Sequence, residues 1–266
     1  MRLKVALLKI LVPYKSETNH NMIHTSNYWI GHFKANAFQK RVDWDKFPEI
    51  SEAEINTILS SLQAWQLGET SEGLHLIAAA TKYANKVNDQ AYIEAIKLFI
   101  KEEQKHGGNL GRYLDKINKA RIKKDWGDSL FRKIRYFNTS MELWTLAVIT
   151  VESTAQIFYQ ALKNATNCSL LKQICTDILI DEAYHITFQT ERMDMIFQHK
   201  SSFSKLWRAP AYKVFFYATS LLVWFAHKKI FNAGGLDFKS YCRKMRYKYA
   251  RTLKTITATS GYIQFA

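Results

Sequence analysis

Proline and glycine are scarce in this chain of 266 residues, at three and ten, so it carries few obligatory breaks. Such a sequence suits long helices better than a turn-rich β architecture. Cysteine is too scarce for a disulfide framework. Cys168, Cys175 and Cys242 contain no CxxC pair, read as inert packing residues, and point to a reducing, cytoplasmic compartment. Long apolar runs are missing too. The longest uncharged one, Val214 to Ala226, has 13 residues, short of the roughly 20 that a membrane-spanning helix requires. The apolar run after Met1 is interrupted by Lys9 and reaches Pro13 with no small-residue cleavage site, so a secretory leader is not expected. The absence of Gly/Ser/Pro tracts excludes a disordered, collagenous or linker chain.

What is present is core-forming material: 47% of the residues are hydrophobic and 14% aromatic, enough for one large all-α domain without disulfides. Lys and Arg exceed Asp and Glu by 38 to 23, for a net charge of +15. The excess is concentrated. From His199 onward thirteen cations face a single acid, Asp237, which makes the C-terminal quarter the candidate contact for an anionic partner.

Residues 1–50 mix aromatics (Tyr28, Trp29, Phe33, Phe38, Trp44) with polar residues in no recognisable motif, and are expected to wrap the core. Ser51-Glu52-Ala53-Glu54 reads as a capping box opening helix A, which runs to about Tyr83 or Ala84. Asn88-Asp89 caps helix B, which ends near Ala120, and residues 121–137 form a basic connection through Trp126-Gly127-Asp128. A second capping box, Thr139 to Glu142, opens helix C, ending near Ala165; Asn167 caps helix D, which reaches about His199. Two tight hairpins joined by a longer link describe a four-helix bundle with one crossover over residues 51–200. The extension at 201–266 adds an aromatic helix E at 211–231, a Gly234-Gly235 stop and a basic helix F at 238–254.

Each bundle helix places acid on its apolar stripe, where an unpaired carboxylate costs several kcal/mol. Helix A carries Glu69 and Glu72, helix B Glu103 and His106, helix C Glu152, helix D Glu182 and His185. Glu103-Gln104-Lys105-His106 and Glu182-Ala183-Tyr184-His185 are ExxH motifs, whose i, i+3 spacing puts carboxylate and imidazole on one face. Glu69 precedes Glu103 by 34 residues and Glu152 precedes Glu182 by 30. Each interval fits one helix up, a short turn and one helix back, so the carboxylates meet at one height. Four carboxylates balance two divalent cations, two neutral imidazoles complete the coordination, and the oxygen-rich set suits iron or manganese. Reflection about the A/B turn tolerates either Glu69 or Glu72 as the helix A ligand. Glu102 and Glu142 lie off the stripes and are expected to be solvated.

This pattern of Glu, ExxH, Glu, ExxH on four helices resembles the ferritin-like di-iron carboxylate superfamily over about residues 55–198. Gly68-Glu69-Thr70 looks like the helix A motif of rubrerythrins, where the glutamate is the first ligand, which favours Glu69 and leaves Glu72 as a supporting or further ligand. Asp181-Glu182-Ala183-Tyr184-His185 resembles the DExxH form of aldehyde-deformylating oxygenases and ribonucleotide reductase small subunits. Tyr159, seven residues after Glu152, matches a tyrosine that such families place beside the metals; Leu76, its counterpart in the first half, departs from the pattern. The resemblance implies two iron ions (Mn/Fe or Mn/Mn as variants) held by Glu69, Glu103, His106, Glu152, Glu182 and His185, with Tyr159 and Glu72 in catalysis.

Five glycines, Gly68, Gly73, Gly107, Gly108 and Gly111, sit inside helices A and B at a cost of about 1 kcal/mol each. They read either as close backbone packing or as a substrate channel beside His106. Helix E reads first as packing on the bundle, with an interfacial lipid segment, extended by the cations of helix F, as the alternative. Interleaved Tyr241, Tyr247 and Tyr249 also suit RNA, which the cation-free run from Val214 to Ala226 makes the weaker partner. The functional expectation is a dioxygen-activating di-iron oxidoreductase of an unidentified organic substrate, a lipid being one candidate, with an external electron donor. The alternatives are a ferroxidase or metal-handling protein without organic substrate, and a tRNA-modifying hydroxylase. Cytoplasmic placement peripheral to an anionic membrane, through residues 201–254, is compatible with this reading, as is a homodimer.

Overall fold

The computed structural model describes residues 23–127, 129, 140–198 and 200–253. Among the described residues the regular structure is entirely helical: α1 (Ser26–Asn36), α2 (Glu52–Glu69), α3 (Leu74–Val87), α4 (Ala91–Lys116), α5 (Met141–Ala165), α6 (Ser169–Gln198), α7 (Ser202–Ala233) and α8 (Phe238–Thr252). The apolar run at residues 1–12, most of the expected 121–137 connection and the end of helix F lie outside the described residues.

The capping box at Ser51 forms: its hydroxyl accepts from the Glu54 amide while the Glu54 side chain accepts from the Ser51 amide. The other Glu54 oxygen accepts from the Asn167 amide at 2.6 Å, so the residue that opens α2 also ties it to the α5/α6 turn. Thr139, which would open the second box, lies outside the described residues. The N-cap of α5 is Ser140, without a side-chain bond, and Glu142 turns instead to Arg208 at 2.7 Å, Lys200 at 2.7 Å and the Tyr212 hydroxyl. Glu142 is therefore buried rather than solvated. Burial opposes its ionisation, but Lys200, Tyr212 and Arg208 together hold its carboxyl below the usual range.

Helix A is two helices. α2 ends at Glu69, and α3 starts from Gly73 at φ 65°, the left-handed region, where a Cβ would also sit 2.5 Å from Ile100 Cδ1. α2 and α3 share the role of one bundle helix beside α4, α5 and α6, with α5 and α6 forming the most extensive hairpin. Ile58, Leu62, Ile96, Leu110, Ile149 and Phe158 are among the side chains closed from solvent between them. α1 crosses α4 and buries Trp29 and Phe33 against Phe188, so this part of the N-terminal region does cover the core. α7 starts at Ser202, earlier than the expected 211, runs through Pro210 and kinks at His227. It packs on α5 and α2, and α8 folds back on α5 and α7 after the Gly234-Gly235 stop. Gly234 passes so close to α5 that a Cβ would lie 2.4 Å from the Ala161 carbonyl oxygen. No described helix is long and apolar enough to cross a membrane.

Candidate metal centre

The i, i+3 spacing on α4 and α6 turns both ExxH pairs inward, and the two hairpins deliver Glu69 from the last residue of α2 and Glu152 from mid-α5 to the same layer. Two overlapping groups of ligand-type atoms result. Glu69, Glu103 and His106 form one, and Glu103, Glu152, Glu182 and His185 the other, all atoms of each within 4.8 Å of one another. Glu103 belongs to both groups. His185 Nδ1 lies 2.6 Å from Glu103 Oε1 and 3.7 Å from Glu182 Oε2, and His106 Nδ1 lies 3.7 Å from Glu182 Oε1.

The ring nitrogens on the other side are held by carboxylates. His106 Nε2 donates to Asp181 Oδ2 at 3.0 Å, and His185 Nε2 donates to Glu102 Oε2 at 2.8 Å. An ionised carboxylate only accepts, so Nε2 carries a proton in each ring and Nδ1 faces the centre. The bracing is crosswise: α6 orients the imidazole of α4, and α4 orients that of α6. Each brace immediately precedes a ligand-type glutamate, giving Glu102-Glu103 and Asp181-Glu182. Glu102, expected to be solvated, is thus buried and bonded.

A third layer comes from the N-terminal region. Asn36, the last residue of α1, donates to Glu102 and, at 2.8 Å, to Asp181. Arg41 reaches Asp181 at 2.8 Å and Asp177 at 2.7 Å, and Lys105 Nζ meets Asp181 at 2.6 Å. Burial works against ionisation of Asp181, but His106, Lys105 and Asn36 hold its carboxyl far below the usual range. Glu102, also opposed by burial, is lowered by His185.

The inner carboxylates respond the opposite way. Burial and the Glu103 charge push Glu69 up to about 8, and burial raises Glu182 to about 7. Burial with the Glu152 charge raises Glu103, and burial with the Glu182 charge raises Glu152. His185 is held well above its ordinary value, burial being outweighed by Glu103 and Glu102. Both Glu182 carboxylate oxygens and His106 Nδ1 are buried without hydrogen-bond partners. Such orphaned atoms facing one volume fit divalent cations, and the Glu/His donor set fits iron or manganese.

Tyr159 donates its hydroxyl to Glu69 Oε1 at 2.6 Å. Glu72 is not brought in: the helix break after Thr70 takes it off the stripe and leaves it exposed. A cavity of about 540 Å³ reaches Glu69, Glu103 and Glu152 between α2, α3, α5 and α7. Its wall is largely apolar, including Trp65, Phe99, Trp144 and Val148, with a polar pair where His227 Nδ1 meets Ser61 Oγ at 3.0 Å. The glycines divide. Gly68 and Gly73 line this cavity, beside Glu69 rather than His106. Gly107 is a close-packing position, where a Cβ would sit 2.8 Å from Thr70 Cγ2 and 3.1 Å from the Glu69 carbonyl carbon.

Sequence reasoning missed Asn36, Arg41, Lys105 and the bracing roles of Glu102 and Asp181. Only the acid directly before each ExxH motif was a legible signal.

Fold and residue layer together give a ferritin-like helical bundle with a buried Glu/His cluster that could hold metal ions. No family profile and no curated protein matches the chain in sequence. Among solved structures it is similar to an R2-like ligand-binding oxidase variant with aerobically reconstituted Mn/Fe cofactor, at TM-score 0.62 and 13% identity, covering 89% of this chain and 95% of that one. A second variant of that oxidase, also aerobically reconstituted with Mn/Fe, gives TM-score 0.57 and 15% identity, covering 93% and 96%. At these identities the likeness is one of fold.

Proposed function

We propose that the chain is a dioxygen-using dinuclear-metal oxidoreductase acting on an organic, apolar substrate. The observation that carries this reading is the buried cluster of ligand-type atoms of Glu103, His106, Glu182 and His185, each imidazole fixed from behind by a carboxylate. Glu69, Glu103, His106, Glu152, Glu182 and His185 would hold two ions, iron or a manganese/iron pair as in the similar oxidase structures. When bound, such ions supply electrons to dioxygen and so give the site oxidising power.

The protein's own groups set the rest. Asp181 and Glu102 orient both imidazoles from Nε2 and so turn Nδ1 inward. Tyr159 keeps its proton, because burial and the Glu69 charge push its hydroxyl well above the ordinary range, and it holds that proton against Glu69. The largely apolar cavity would seat an apolar body beside Glu69, Glu103 and Glu152. A ferroxidase needs a path for a hydrated cation, which a largely apolar cavity does not supply, and this favours the organic substrate. An external electron donor belongs to the same reading.

Elemental analysis of reconstituted protein should give two ions per chain. Glu182→Ala and His106→Ala should each lose at least one ion and all oxygen consumption while the helical circular dichroism persists, since bundle packing supplies most of the stability. A wild-type value near zero or one after reconstitution overturns the dinuclear reading.

A further inference from the structure

α7 buries one face and leaves the other bare. Tyr212, Phe216, Val223 and Ile230 point into the bundle. On the opposite face Phe203, Trp207, Val214 and Phe225 are 79%, 56%, 69% and 64% exposed, with Ala211, Ala218 and Leu221 filling the stripe between them at steps of three and four residues. From 203 to 225 the stripe spans about 33 Å at the helical rise. Phe238 of α8 continues it, its ring centroid 6.4 Å from that of Phe225.

Cations accompany the stripe. Lys213 and Lys228 are exposed on α7, as are Lys239, Arg243, Lys244 and Arg246 on α8. The only acid between residues 200 and 253, Asp237, is engaged in capping α8 through the Ser240 amide at 2.7 Å. The cavity described above opens beside the same helix: Leu222 and Ala226 line it and are exposed, and exposed Leu74 and Trp126 belong to its lining too. Its mouth is rimmed by these apolar side chains together with exposed Ser60 and His75.

We propose that this face of α7, with the cations beside it, docks on an anionic lipid surface and sets the cavity mouth at that surface. An apolar stripe flanked by lysine and arginine, on a helix that does not span, is the pattern of an interfacial helix, and the charge complements anionic headgroups. The proposal rests on the organic-substrate reading above: an apolar substrate would enter by the cavity mouth at the docked face, where Leu222 and Trp126 lie.

The test is co-sedimentation of the metal-loaded full chain with vesicles of phosphatidylcholine containing about a third phosphatidylserine, against pure phosphatidylcholine. Binding is expected only to the anionic vesicles and should weaken with added salt. Lys213→Gln and Lys228→Gln should each reduce the partition coefficient about fivefold. The triple variant Phe203→Ser/Trp207→Ser/Phe225→Ser should abolish binding while keeping its helical signal and two metals. With bromine-labelled lipid, Trp207→Phe and Trp126→Phe should each lose part of the fluorescence quenching of the wild type. Undiminished binding by the triple variant, or unchanged quenching in Trp126→Phe, overturns the proposal. So does a wild-type dimer that the triple variant converts to monomer, or tight tRNA binding with vesicles ignored. A protein that holds two metals and ignores vesicles leaves the oxidoreductase reading standing while the docking falls.

Discussion

The inner carboxylates make the metal-free protein sensitive to pH in an unusual direction. In the metal-free fold Glu69 is pushed up to about 8, against about 4.3 in an unfolded chain. A carboxyl with a raised folded pKa costs nothing while protonated in both states; stability then declines as pH climbs from about 4.5 through 8. Glu182, raised to about 7, acts in the same sense. So does His185, whose raised value means stabilisation that is lost as pH rises. Asp181 and Glu102 are held low and stay ionised throughout, adding no slope. Between about 4.5 and 8 the Glu69 shift corresponds to roughly 5 kcal/mol at about 1.4 kcal/mol per unit, comparable with the whole stability of an ordinary domain. Because these groups titrate as a set, the measured loss belongs to the set and is not a sum of single sites. Urea unfolding of chelator-treated protein at pH 5, 6, 7 and 8, followed by helical circular dichroism, should show the decline. The metal-loaded protein should be flat, its cations having replaced the protons. Glu69→Gln should shallow the metal-free slope, making the variant more stable than metal-free wild type at pH 8 although it lacks a ligand. Metal-free wild type equally stable at pH 5 and pH 8, or an unchanged slope in Glu69→Gln, would refute the argument.

Asn36→Ala removes one amide shared by both bracing carboxylates and should weaken metal binding about 10- to 100-fold in a chelator competition; a loss below about twofold would deny Asn36 this role. Tyr159→Phe should retain two metals by elemental analysis but slow oxygen consumption at least about tenfold, since the proton held against Glu69 is gone. Gly234→Ala drives a methyl into the Ala161 carbonyl and should cost about 1 to 3 kcal/mol in urea unfolding.

The bundle, its two hairpins and the inward-facing Glu69, Glu103, His106, Glu152, Glu182 and His185 were legible in the sequence because they follow from local arithmetic. An i, i+3 spacing selects one helix face whatever surrounds it, and equal distances from a turn bring two residues to one height. The break at Gly73 was less legible, since a glycine within an apolar stripe shows its left-handed conformation only once Ile100 packs against it. The fates of Glu72, Glu102 and Glu142 were decided by tertiary structure alone. All three are acids at or beside the stripes of amphipathic helices, and whether such a group is solvated depends on which distant segment covers it. α1 brings Asn36 over Glu102, α7 brings Arg208 and Tyr212 over Glu142, and nothing is laid over Glu72. The crosswise bracing of the two histidines has the same origin: Asp181 and His106 are 75 residues apart, and no local pattern encodes a hydrogen bond between helices that meet only when the bundle closes.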